Sequence, residues 1–334
     1  MTFGEAKREI RVVAWPLAGL LSLLALNALF DPAFLKITLL EGHFYGVPVD
    51  ILTQSARTML VSLGMTLVIA TGGVDLSVGS VVAIAGAVCA VMLQDGHALS
   101  LTIAAAVGTG ALAGGINGLL VARLGVQPIV ATLILMVAGR GLAQLIVGGQ
   151  VIIITSSAFE FISNGFVLGV PVAPVLVLTL FAATHFAVRR TALGLFVEAV
   201  GDNETASRFA GLAVARIKTL VYLFCGACAG LSGVLVAANI KAADSYRAGE
   251  NMELDAIFAV VVGGTALSGG RFLILGTVIG ALLIQTLTTT MYNLGVPPAV
   301  APVPKALLII AVSLLQSEKV GRWLGGLFKK EAVA

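Results

Sequence analysis

The sequence predicts an all-α, polytopic membrane protein, and three observations carry that prediction. Hydrophobic residues make up 58% of the chain and charged residues only 11%, whereas soluble domains carry about 25% charged residues. The mean hydropathy is +1.05. Apolar runs long enough for a spanning helix, roughly 20 residues, recur about ten times. These runs do not show the short in-out alternation of a membrane barrel. A single transmembrane domain is expected over 1–334.

The first span covers 12–30, behind a basic flank of Lys7, Arg8 and Arg11. It shows no small-residue cleavage site and reads as a retained helix rather than a signal peptide. Residues 31–53 hold Asp31, Lys36, Glu41 and Asp50 and read as too polar to span. Spans two and three, 55–72 and 77–94, flank Gly72-Gly73-Val74-Asp75. A carboxylate between two membrane-grade runs is costly unless it lines a cavity, finds a partner or sits at an interface. Glycines beside it let the backbone unwind. Residues 72–77 therefore predict a broken or re-entrant element.

Span four is 99–122. Span five opens with Pro128 and ends near Gly148; proline suits a first helical position because that N–H has no helical partner. Residues 151–166 read as irregular, and span six as 167–188. The connection 189–218 is the longest strongly charged one. Within it, Asp202 or Asn203 can cap a short helix running toward Arg208. Span seven is 219–238. Glu253 and Asp255 open span eight, where acidic groups cap a helix and suit its dipole. Spans eight and nine, 254–268 and 272–292, are interrupted by glycine pairs at 263–264 and 269–270. A loop holding Pro297, Pro298, Pro302 and Pro304 leads to span ten, 305–316, and a basic tail.

With ten spans, 13 of the 20 Lys and Arg fall on the side that holds residues 1–11, 123–127, 189–218 and 317–334. Cytoplasmic loops carry the excess of Lys and Arg, so both termini are expected in the cytoplasm. The net charge of +3 gives no footing for nucleic acid.

Little in the chain suggests catalysis. Cys225 and Cys228 form a C-x-x-C inside an apolar run and read as packing residues, since no Cys or His cluster supports a metal. No G-x-x-x-x-G-K-[ST] phosphate loop is present. His43, His97 and His185 are scattered. Gly72-Gly73-Val74-Asp75-Leu76-Ser77 is echoed by Gly263-Gly264-Thr265-Ala266-Leu267-Ser268, a pattern compatible with the internal repeats of transporters. Asp75 and Arg140 are the ionisable residues deepest in apolar surroundings; they either pair or each bond to backbone.

Three stretches carry a family resemblance. GMTLVIATGGVDLSVGSVVAIAGA (64–87), TALGLFVEAVGDNETASRFAGL (191–212) and MELDAIFAVVVGGTALSGGRFLILGTVIGALLI (252–284) resemble the ribose/galactoside-type permease subunits of bacterial ABC sugar importers. They lie in the family's order, and the likeness covers nearly the whole chain. GHFYGVPVDIL and QPIVATLILMVAGRGLAQLIVGGQ are most similar to the galactofuranose permeases. The resemblance implies a multi-pass protein of the bacterial inner membrane that translocates a monosaccharide, a furanose in that branch. It implies three protein partners in the lipid bilayer: a second related permease (a heterodimer, or a homodimer), a cytoplasmic ATPase and a periplasmic sugar-binding protein.

ATP and Mg²⁺ would be used by the ATPase, with no cofactor or metal on this chain and no ATPase site of its own. The implied coupling segment carries Gly194, Glu198, Gly201, Asp202, Asn203, Ala206, Arg208, Ala210 and Gly211. Asp75, Ser77, Asn117, Arg140 and Gln285 are candidates for the sugar path, against a purely structural role as anchors or helix-packing residues. The competing class is an ion-coupled secondary transporter. It usually places ionisable relays at the membrane midplane, for which Asp75 and Arg140 alone are a thin basis.

Overall fold

The computed structural model describes residues 3–297, 300–307 and 310. Each long apolar run within them is a helix. In order the elements are α1 (Phe3–Phe30), a hairpin of β1 (Thr38–Leu40) and β2 (His43–Tyr45), α2 (Val47–Ala70), α3 (Val78–Gln94), α4 (Leu99–Ala122) and α5 (Pro128–Ile146). There follow β3 (Ile152–Ile153), α6 (Ser157–Asn164), a hairpin of β4 (Phe166–Val167) and β5 (Val170–Pro171), α7 (Val172–Arg190), α8 (Ala192–Asp202) and α9 (Glu204–Phe209). Then come α10 (Val214–Ile240), β6 (Ala242–Ala243), α11 (Met252–Val262) and α12 (Ile274–Asn293). The strand pairs are antiparallel, and β6 pairs with the distant β3.

Seven of these helices are long and apolar enough to cross a membrane: α1, α2, α4, α5, α7, α10 and α12. Helix α3 is apolar but 17 residues long, and α11 has 11 residues, roughly 16 Å at 1.5 Å per residue. The eighth span, expected through 268, thus stops at Val262. Gly264, Gly269 and Gly270 beyond it adopt φ of 93°, 87° and 89°, a left-handed backbone that glycine accepts without strain. Most of the tenth expected span lies outside the described residues.

Two further expectations are corrected. Helix α2 begins at Val47, eight residues before the expected 55, with proline in its first turn and Asp50 in the first turn as well. Both are favourable helix-start residues, so the polar stretch does not stop the helix. Residues 151–166 hold the eight-residue α6, started by Ser156, whose side chain accepts a bond from Phe159 N.

Helix α10 is the central post, packed by α2, α3 and α4. The contact with α4 is made through glycine: a Cβ on Gly110 or Gly114 would enter the backbone of Gly226 or Gly230, and the reverse also holds. Lipid tails are as apolar as leucine, so such helices gain by close backbone approach rather than by hiding apolar surface. Burial follows position. Of their spanning windows, α2 and α10 are 78% and 72% buried, whereas α4 and α5 are 28% and 22% buried, which puts the latter two at the periphery.

Candidate functional site

Two candidate regions lie along α2, one at its C-terminal end and one near its middle. At the C-terminal end, α2 breaks after Ala70 and α3 starts at Val78. Asp75 organises the break. Its Oδ1 accepts bonds from Ser77 N at 3.0 Å and Ser77 Oγ at 2.6 Å. Asn117 Nδ2 on α4 donates to Ser77 Oγ at 2.9 Å and to Asp75 Oδ1 at 3.4 Å. All three residues are buried. Asp75 therefore fixes Ser77, the residue that precedes α3, and with Asn117 ties the break to α4. Asp75 and Arg140 do not pair.

The second break, 263–273, meets the first. Gly270 N donates to the carbonyl of Ala70 at 2.9 Å, and Thr66 and Thr277 share a buried hydroxyl bond of 2.8 Å one turn away. Between them sits the last turn of α8. A Cβ on Gly201 would overlap the Ala70 carbonyl oxygen and lie 2.5 Å from Gly270 N. Backbone from the three family-like stretches thus meets at one point, and only a residue without a side chain fits there.

The rest of the expected coupling segment divides in two. Gly194 is buried, and a Cβ there would run into Val188. Asp202, Asn203, Ala206, Arg208, Ala210 and Gly211 are exposed, and Glu198 is half-buried. Asn203 rather than Asp202 caps α9, accepting from Ala206 N at 2.9 Å. Glu204 holds α9 down by bonding Arg208 at 2.6 Å and Lys218 of α10 at 2.5 Å. The ammonium of Lys218, then the guanidinium of Arg208, keep the Glu204 carboxyl below its usual range. Sequence reasoning missed the apolar side chains presented alongside: Leu195 is 67% exposed and Phe209 89% exposed. An uncovered phenylalanine in a charged loop is the signal that could have found them.

Near the middle of α2, about 20 Å from Ala70 by helical rise, a cavity of about 370 Å³ opens between α2, the α10–α11 connection and α12. Gln54, Arg57, Asp244, Arg247, Glu250 and Gln285 bring polar groups to it. Arg57 NH1 donates to Asn239 Oδ1 at 3.4 Å and its NH2 to Gln54 Oε1 at 2.9 Å. Asp244 Oδ1 accepts from Tyr246 N and Arg247 N at 3.0 and 3.1 Å and so shapes the connection.

Arg140, expected near the sugar path, stands behind this wall. It donates to the carbonyls of Ser245 at 3.3 Å and Ala248 at 2.5 Å. Asp255 binds Lys305 through both oxygens at 2.9 Å, so it does more than favour a helix start. Glu253 lies in the same first turn. Of the five sugar-path candidates, the structure joins Asp75, Ser77 and Asn117 in one cluster, puts Gln285 on the cavity and sets Arg140 behind it.

Comparison with known proteins gives a consistent picture. The family described as "Branched-chain amino acid transport system / permease component" matches residues 47–313. The galactofuranose transporter permease protein YtfT of Escherichia coli (strain K12) is 45% identical over 94% of this chain and 92% of its own length. The fructose import permease protein FruF of Bifidobacterium longum (strain NCC 2705) is 35% identical over 96% and 92%. The ribose import permease protein RbsC of Escherichia coli (strain K12) is 37% identical over 91% and 93%. No solved structure matches the chain.

Proposed function

The chain belongs to the branched-chain amino acid transport system / permease component family, and from that premise we propose that it is the permease subunit of an ATP-driven ABC importer of a monosaccharide, a furanose such as galactofuranose. It is a multi-pass inner-membrane protein. The three relatives named above are permeases for galactofuranose, fructose and ribose by name, which supports a pentose or hexose as cargo. In this reading the ten spans form one domain with both termini in the cytoplasm, so the two breaks face inward and the cavity outward.

The observation that carries the reading is the wedge of Gly201 between Ala70 and Gly270. A partner that grips α8 and α9 pulls directly on both breaks. We assign that partner as the cytoplasmic ATPase, which supplies the ATP and Mg²⁺ chemistry this chain lacks. Leu195 and Phe209 are exposed on the same segment as the exposed Asp202 and Arg208, a composition that suits an interface with an apolar centre and polar edge. A periplasmic binding protein would deliver sugar to the opposite side, and a second permease would complete the path.

The test is a bulky residue on the docking surface. Gly211 is unsuitable, since its φ of 84° strains any side chain. Ala206 is exposed on α9. Ala206→Trp is expected to insert and fold normally but to lose co-purification of the ATPase in mild detergent. Wild-type recovery of the ATPase, with normal binding-protein-stimulated hydrolysis, would contradict the assignment.

A further inference from the structure

We propose that the cavity between α2, the α10–α11 connection and α12 is a transit site for one uncharged monosaccharide ring. The proposal rests on the sugar-import reading and adds to it the place and the charge class of the cargo.

Size comes first. About 370 Å³ lies at the small end of ligand sites, which span roughly 300–1,000 Å³. One sugar ring fits; a long chain or a folded peptide does not.

The state of Arg57 comes second. Its two recorded partners, Asn239 and Gln54, are neutral amides, and among the described residues it has no carboxylate partner. A guanidinium has five N–H donors. Held in place by amides, it keeps donors to offer into the cavity, with its charge not cancelled by an ion pair. Gln54 and Gln285 add groups that donate and accept.

Charge balance decides the class. Arg57 and Arg247 face the cavity together with Asp244 and Glu250. A sugar acid or sugar phosphate would meet two carboxylates, and a cation two guanidiniums. A neutral polyol can donate to the former and accept from the latter. The apolar side chains of the wall, Val236, Ile240, Ala248 and Met252, suit the C–H face of a sugar ring. A site lined this way holds its ligand weakly, as a path that must also release it requires.

The test uses cysteine accessibility in the assembled complex in lipid nanodiscs. Cys89, Cys225 and Cys228 are all buried, so a hydrophilic maleimide has little background on this chain. Gln285→Cys is the reporter, with Thr58→Cys on the facing wall as the second should the first fail to assemble. D-galactose, D-ribose and D-fructose are titrated into the millimolar range, with sodium galacturonate as the charged comparator, and uptake of the same sugars by the wild-type complex is measured in parallel.

A neutral sugar that is taken up is expected to slow labelling by a factor of about 1 + [L]/Kd, roughly tenfold at ten times its dissociation constant, and galacturonate is expected to have no effect. Uptake of a neutral sugar without protection at either reporter would overturn the site while leaving the import reading intact. Equal protection by galacturonate would overturn the charge class. Failure of the wild-type complex to take up any neutral sugar would overturn the import reading, and the site with it.

Discussion

The C-terminal end of α2 and the open stretch near its middle are built on opposite physical rules. Around Ala70 the structure is close-packed and made of backbone: Gly201 and Gly269 approach their neighbours so closely that no Cβ fits without displacing one, and Gly270 holds a left-handed φ of 89°. Around Arg57, about 20 Å away, the walls are long polar side chains around open space. Tight backbone contacts resist small displacements and pass them on, because close-packed interiors transmit strain. Long side chains around a void adapt instead. The end of the helix is therefore suited to transmitting movement and its middle to receiving a small molecule.

The contrast breaks most visibly at Gly201. Gly201→Ala places a methyl group onto backbone that cannot swing aside, and overpacking of this kind costs on the order of 1–3 kcal/mol. We expect a clear loss of thermal stability in detergent and loss of ATP-driven uptake. Gly141→Ala is the control, since a Cβ there meets nothing within 4 Å; it should behave as wild type. Equal behaviour of the two variants would remove the distinction between a tight end and an open middle.

Asp75→Ala comes next. It strips Ser77 and Asn117 of their shared acceptor, and an unsatisfied buried donor costs about 1–3 kcal/mol. Asp75→Asn, which keeps one oxygen, should recover much of that loss in a detergent melting curve. A melting temperature unchanged in Asp75→Ala would show that the break does not depend on its carboxylate.

How far these regions could be read in advance differs for a physical reason. The break at 72–77 was legible because a carboxylate flanked by glycines has few places to go in an apolar chain. Nine of the ten expected spans overlap helices among the described residues, seven of which are long and apolar enough to cross a membrane, since apolar length is a strong signal. The shortness of α11 was not legible: hydropathy runs on through Ala266 and Leu267 while the backbone has already turned at Gly264. Nor was the inward role of Gly201, which resembles a loop glycine until Ala70 and Gly270 are brought to it. The cavity escaped notice because Gln54, Arg57, Glu250 and Gln285 come from three separated segments, and no local spacing joins them. The sequence left open whether Arg140 pairs with Asp75 or bonds to backbone; its donors go to the carbonyls of Ser245 and Ala248.

At the open middle, effects should be functional rather than structural. Arg57→Ala is expected to lower sugar uptake by about tenfold, the scale of one lost charge-assisted hydrogen bond of roughly 1.5 kcal/mol, with partial recovery in Arg57→Lys. Initial uptake rates at saturating binding protein provide the comparison, and a loss of melting temperature as large as that of Gly201→Ala would mark Arg57 as a structural post instead.

The smallest effect concerns α9. The Glu204 carboxyl titrates below its ordinary value in the folded chain, so its pairing with Lys218 and Arg208 stabilises above the unfolded value and is lost as pH falls through the folded one. Docking of α9 onto α10 should therefore loosen only in acid. Hydrogen exchange of residues 204–209 would report it, and Glu204→Gln should remove that pH dependence. Because Glu204 and Arg208 are exposed to solvent by 37% and 61%, screening keeps the gain at neutral pH modest.

The account stands or falls on what powers the movement between the two regions. Liposomes containing this chain with its permease partner, ATPase and binding protein should accumulate a neutral monosaccharide only when ATP and the binding protein are both present. Accumulation should persist when a protonophore collapses the proton gradient. Sugar uptake by this chain that follows the proton or sodium gradient and ignores ATP would contradict the account and establish the ion-coupled alternative.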